Sequence, residues 1–92
     1  MSYLAWDFDK NQKLKDTRGV CFADVMSAIS QGRILDDRKH HNAVLYPNQR
    51  ILIVDIRDYV YLVPYVESGG VLFLKTIIPS RKATRRYLGG AR

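Results

Sequence analysis

Arg81, Lys82, Arg85 and Arg86 are the densest group of cations in the chain. At about 100° per residue they fall within an arc of about 140° if the segment is helical, and Ala83, Thr84, Tyr87 and Leu88 take the rest of the wheel. Such a helix has one basic face and one packing face. Like charges at this spacing repel by a few tenths of a kcal/mol per pair, a cost that bound phosphates would offset. Residues 79–92 hold five of the 15 Lys and Arg, Arg92 among them, and none of the nine Asp and Glu, so nearly all of the net charge of +6 sits in one short segment. That asymmetry points to an anionic partner at this segment, with Lys75 on the preceding strand extending the patch. A solvated, solubilising helix is the alternative for the same residues.

Other candidates are weaker. His40-His41 falls in a loop, and no Cys or spaced carboxylates complete a metal site around the pair, so no metal is expected. A role in proton transfer suits either imidazole near neutral pH. Tyr59, Tyr61 and Tyr65 alternate on one side of a strand, where they could stack unpaired bases or pack the sheet or an oligomer surface. Cys21, the only cysteine, lies between Val20 and Phe22 and reads as a buried thiol in a reducing compartment. There is no glycine-rich phosphate loop, nucleophile elbow or zinc-finger spacing, and no cofactor is expected. The opening residues lack the basic and apolar regions of a signal peptide, and Val60–Val66 is too short to span a bilayer. A cytoplasmic protein with no membrane partner is expected.

The elements that must position these groups follow from periodicity. A short strand is expected over Tyr3–Trp6. A mostly polar helix from an N-cap at Asp7 to Arg18 inserts Phe8 and Leu14 and stops at Gly19. A second helix, Phe22–Gln31, carries Phe22, Val25, Met26 and Ile29 on one face and ends at Gly32. Strands are expected at Arg33–Arg38, Gln49–Ile56, Tyr59–Val66 and Val71–Ile78, joined by a loop over 39–48, a tight turn at Arg57-Asp58 and a hairpin loop over Glu67-Ser68-Gly69-Gly70. Pro64 cannot donate to a ladder, so it belongs at an edge or a bulge. Pro79 opens the last helix, which runs to Leu88 before Gly89-Gly90. The fold class is α+β in one domain over 1–92: two N-terminal helices, an antiparallel meander of three to four strands covered on one face, and a C-terminal basic helix. A chain this short buries only about 60–65% of its unfolded surface, so a partner or a second copy would stabilise it.

These residues resemble a known family. The run Ile77-Ile78-Pro79-Ser80-Arg81-Lys82-Ala83-Thr84-Arg85-Arg86 resembles the I-I-S-A-R-K-A-T end of BrnT-type toxins, which belong with the RelE-like toxins. Trp6-Asp7, the Lys-rich segment after it, Gly19-Val20 and Phe22 resemble the family's F-x-W-D-x-x-K…K-H-G-V-x-F, and Gln49–Val54 resembles its E-R-x-x-x-I-G strand. The resemblance implies the toxin of a type II toxin–antitoxin pair, a metal-independent ribonuclease that inhibits translation. It also implies RNA as the partner of Lys75, Lys82, Arg85 and Arg86, and a small antitoxin, often of the ribbon-helix-helix type. Position by position, Arg50 matches the basic residue of the strand motif, Arg81 the Arg of the C-terminal motif, and Glu67 lies near the family's T-E-R. In cleavage by the RNA 2′-hydroxyl, Arg50 and Arg81 would stabilise the phosphoryl charge and Glu67 or a loop His would act as base. The sequence departs from the pattern at Val54-Asp55, Ser68 and Tyr87-Leu88. Those departures favour a non-catalytic nucleic-acid-binding or protein-interaction domain on the same scaffold as the alternative.

Overall fold

Ile, Val and Tyr dominate residues 49–66, and around them the computed structural model, which describes residues 3–89, builds a six-stranded mixed sheet with three helices. The elements in chain order are β1 (Tyr3–Trp6), α1 (Phe8–Arg18), α2 (Phe22–Ser30), β2 (Ile34–Lys39), β3 (Gln49–Ile56), β4 (Tyr59–Ser68), β5 (Val71–Leu74), β6 (Ile78–Pro79) and α3 (Arg81–Leu88). β2 to β5 form the antiparallel meander expected from their short connections. β1 then adds to the far side of β5 in parallel, giving the order β1-β5-β4-β3-β2, so the sheet is mixed rather than purely antiparallel.

The helices carry the signals that the sequence displays. Asp7 caps α1 by accepting from the Asp9 N–H, and Gly19 closes it in the left-handed conformation at φ 70°. Only Leu14 of that helix is buried; Phe8 is 75% exposed and not inserted as expected. Asp24 reaches back to the Cys21 N–H at 2.9 Å and starts α2. Its buried face is Phe22, Val25 and Ala28, rotated from the expected stripe so that Met26 remains 46% exposed. The Arg57-Asp58 turn has positive φ at both residues, the twist that two-residue hairpins require.

The strand alternation sets two faces. Leu52, Val54 and Ile56 of β3, Val63 and Tyr65 of β4 and Leu74 of β5 face α1 and α2, where they pack with Leu14, Val20, Phe22 and Val25. Ile51 and Ile53 of β3 and Leu62 of β4 face the other way and meet α3. The sheet is therefore covered on both faces, not one, because the chain crosses an edge of β4 before α3 begins. That crossing also corrects the last strand and the last helix. β5 stops at Leu74, Ile77 is buried in the core, and Ile78–Pro79 pairs separately with Leu62 and Tyr61. Ser80, not Pro79, starts α3, its hydroxyl oxygen accepting from the Ala83 N–H at 3.0 Å.

Pro64 sits inside β4, opposite Ile51 of β3. Its carbonyl accepts from the Lys75 N–H at 2.8 Å, so its nitrogen points to the same side, into the break between β5 and β6 where no ladder donor is needed. The hairpin loop shrinks to Gly69-Gly70, and Glu67 and Ser68 extend β4. Among the described residues, no helix is long and apolar enough to cross a membrane.

Candidate functional site

Three hydrogen bonds stretch α3 across the sheet. The Ser80 N–H donates to the Val60 carbonyl at 3.0 Å, and the Val60 N–H donates to the Thr84 hydroxyl at 2.9 Å, which pins the start of the helix to β4. The Tyr87 hydroxyl donates to Asp36 on β2 at 2.8 Å and pins its end. Beneath the helix lies a cleft of about 360 Å³, within the range of small-ligand sites. Ile51, Ile53 and Leu62 form its floor, Ala83 and Tyr87 its roof, and Arg38, Lys82, Arg86 and His41 its rim; Lys39 borders it at the end of β2, where pairing with Arg50 turns its side chain to the other face. The carboxylate nearest the rim cations, Asp36, is held below the usual carboxylate range, first by the Tyr87 hydrogen bond and then by the Asp37 N–H, with Arg38 and Arg86 adding to the effect. Asp36 is thus a fixed negative charge at one end of the cleft, and an anion entering elsewhere meets Arg38, Lys82 and Arg86 over an apolar floor.

The helix divides its own cations. Lys82 and Arg86, one turn apart, border the cleft, whereas Arg81 and Arg85 lie on the outer side of the wheel. Lys75 is on the same face of the sheet, its ammonium 5.4 Å from the centre of the Phe73 ring. His40 and His41 stack with centroids 4.3 Å apart, and Tyr46 packs on His40 at 4.6 Å. The His40 Nδ1 accepts from the Asn42 N–H, and His41 reaches the cleft rim. Arg92 lies outside the described residues. Arg38 is a site residue that no sequence motif marks, although it opens the basic and imidazole run Arg38-Lys39-His40-His41.

The residues assigned to catalysis by resemblance are not brought together. Arg50 alternates with Leu52 and so lies on the α1–α2 face, opposite the cleft. There it donates to the Asp37 carboxylate and carbonyl, both at 3.1 Å, and the Tyr65 hydroxyl donates to the same carboxylate at 2.9 Å. Glu67 is exposed at the hairpin end of β4, on the Tyr65 side of that strand, away from Arg81. The tyrosines take the packing role: Tyr65 is buried, and Tyr59 meets Tyr61 edge to face at 5.6 Å. A second cleft of about 540 Å³ opens on this face between Met26, Ile29, Ile34, Leu52 and Leu72. It is larger than the first, but its polar groups, Asp37 and Tyr65, are bonded to one another. Among the described residues, no three His, Cys, Asp or Glu side chains converge as metal ligands.

The Arg50–Asp37–Tyr65 cluster has a measurable signature. Burial, followed by the bond to Asp37, pushes the Tyr65 phenol up to about 12 from its ordinary 10.0. A phenol with a raised folded pKa contributes stability that is complete below about pH 10 and lost as the pH rises through about 12. Phenolate absorbance should therefore show one of the six tyrosines ionising after the rest, and Tyr65→Phe should remove that late step. Six tyrosines ionising together near pH 10 would refute the assignment.

What the fold and site define is a small α+β domain with a cationic cleft between a C-terminal helix and its sheet. No family model, no curated protein and no solved structure matches the chain, so what it does is read from this geometry and from its own residues.

Proposed function

We propose that this chain is an RNA-directed toxin that holds single-stranded RNA in the cleft beneath α3 and cleaves it there without a metal. The observation that carries the proposal is the joining of three cations, an imidazole and an apolar floor in one cleft, to which the basic C-terminal segment contributes Lys82 and Arg86. An unpaired base suits the apolar floor, and its phosphates suit the rim. The RelE/BrnT-like resemblance of the same C-terminal run supports the toxin reading, with a small antitoxin as neutralising partner.

In the reaction, the His41 imidazole takes the proton of a ribose 2′-hydroxyl. The 2′-oxygen bonds to the adjacent phosphorus, and the bond from phosphorus to the 5′-oxygen breaks. The 5′-oxygen takes up a proton from solvent, and the His41 imidazolium returns its own to solvent, leaving a 2′,3′-cyclic phosphate and a 5′-hydroxyl end. Lys82 and Arg86 stabilise the charge that develops on the phosphoryl oxygens, the role first assigned to Arg50 and Arg81. The separation of Arg50, Glu67 and Arg81 favours a second reading, in which the domain binds RNA and does not cut it.

The two readings separate in one experiment. Purified protein is incubated with a single-stranded RNA in a chelator, and both binding and new ends are measured. Cleavage to cyclic phosphate ends, lowered about 10²–10⁴-fold by His41→Ala with binding retained, is the expected result. Binding without cleavage by the wild type selects the second reading, and absence of RNA binding overturns both.

A further inference from the structure

We propose that the open part of the sheet beside α3 is a second nucleotide subsite, in which Phe73 stacks an unpaired base and Lys75 meets its phosphate. A bound single strand would then run from the cleft across β3 and β4 to β5. This rests on the RNA reading above and adds to it where the strand goes.

Phe73 is opposite Val66 of β4 and Ala5 of β1, on the α3 side of the sheet, whereas its neighbour Leu74 is buried in the core on the other side. Although its strand pairs on both sides, Phe73 is 38% exposed. Between it and the cleft floor lie Pro64 and Val66, half-buried, next to Ile51, which itself borders the cleft. The surface is thus continuous and apolar over two strand spacings, about 10 Å. Its charge is one-sided as well. The Lys75 ammonium lies over the Phe73 ring, and a stacking base would displace it from there to the phosphate; the acids of this face, Asp36 and Asp55, lie towards the other end, bonded to Tyr87 and Arg33. An exposed aromatic with an exchangeable cation over its ring, on a sheet leading into a basic cleft, combines the two features that hold single strands: stacking and backbone neutralisation. A duplex would present neither an unstacked base to Phe73 nor one to the cleft floor.

The test compares two ligands carrying 2′-O-methyl groups, which blocks cleavage: an adenylate dinucleotide, long enough for the cleft alone, and an adenylate decamer. Fluorescence anisotropy gives the affinity of each for the wild type, Phe73→Ala, Phe73→Trp and Lys75→Ala. Phe73→Ala should weaken the decamer about 5- to 150-fold, the loss of one stacked base, and leave the dinucleotide unchanged. Phe73→Trp should restore the decamer, and Lys75→Ala should lower the salt dependence of the decamer alone. Circular dichroism checks that each variant is folded. Wild-type decamer affinity in Phe73→Ala, or an equal loss for both ligands, overturns the subsite while leaving RNA binding in the cleft intact. Failure of both ligands to bind the wild type overturns the RNA reading itself, and binding of the decamer without the dinucleotide overturns the cleft as a site sufficient on its own.

Discussion

Replacing Lys82 and Arg86 together by Ala should weaken single-stranded RNA binding by about 100-fold. Each contributes a charge-assisted contact to phosphate of about 1.5 kcal/mol, and about 3 kcal/mol converts to that factor. Both lie on the exposed side of α3 at the cleft rim, and Ala favours a helix, so folding should survive. The matched control is Arg81→Ala with Arg85→Ala, which removes the same formal charge from the same helix. Because those two side chains lie on its outer side, the control should lose only a few-fold. Salt titration gives a second readout. Each phosphate contact contributes about 0.7 to the slope for single strands, so the cleft variant should lose about 1.4. Equal losses from the two double variants would mean that net charge, not the cleft, holds the RNA.

Phe22→Ala should lower the stability of the fold by about 3–5 kcal/mol, the usual cost of emptying a buried aromatic site. The Phe22 side chain has no exposed surface and stacks on Trp6 with centroids 5.6 Å apart. Its backbone N–H donates to Asn11 at 2.6 Å, which ties α1 to the start of α2. A domain of this size has a total stability of about 5–14 kcal/mol, and each kcal/mol moves the melting temperature by about 4–8 °C. The melt should therefore fall by about 15 °C or more. Phe8→Ala, at a side chain in solvent, should change stability by less than about 0.5 kcal/mol. Urea or thermal unfolding checks both, and a Phe22→Ala protein melting within a few degrees of the wild type would show that the α1–α2 junction is not the keystone of the core.

The contrast between these phenylalanines shows where the sequence is legible. Caps, stops and turns are local chemistry. Asp7, Gly19, Gln49–Ile56 and Arg57-Asp58 are therefore found where their residue types place them. Which side of an element is buried depends on what lies opposite, and a mostly polar helix such as α1 gives no periodic stripe to read, so Phe8 is misplaced and Met26 is left outside. The site obeys the same rule. The basic face of α3 is visible as a local pattern. The division of that face into Lys82–Arg86 and Arg81–Arg85 depends on α3 lying across β3 towards β2. Arg38 joins the site only because the β2–β3 register brings it opposite Ile51. Arg50 and Arg81 match one motif set, yet a single alternation along β3 puts a sheet between them.

The parallel pairing of β1 with β5 has a kinetic consequence. Tyr3 aligns with Val71 and Trp6 with Leu74, so this ladder closes a loop of about three-quarters of the chain. The β2–β5 meander needs only short closures, so loop-closure entropy favours its assembly before the amino-terminal strand docks. Trp6, the only tryptophan, rides on that strand and stacks on Phe22. Its fluorescence should therefore follow the docking of β1, and a fluorescence change that lags the circular dichroism signal in refolding is the expected result.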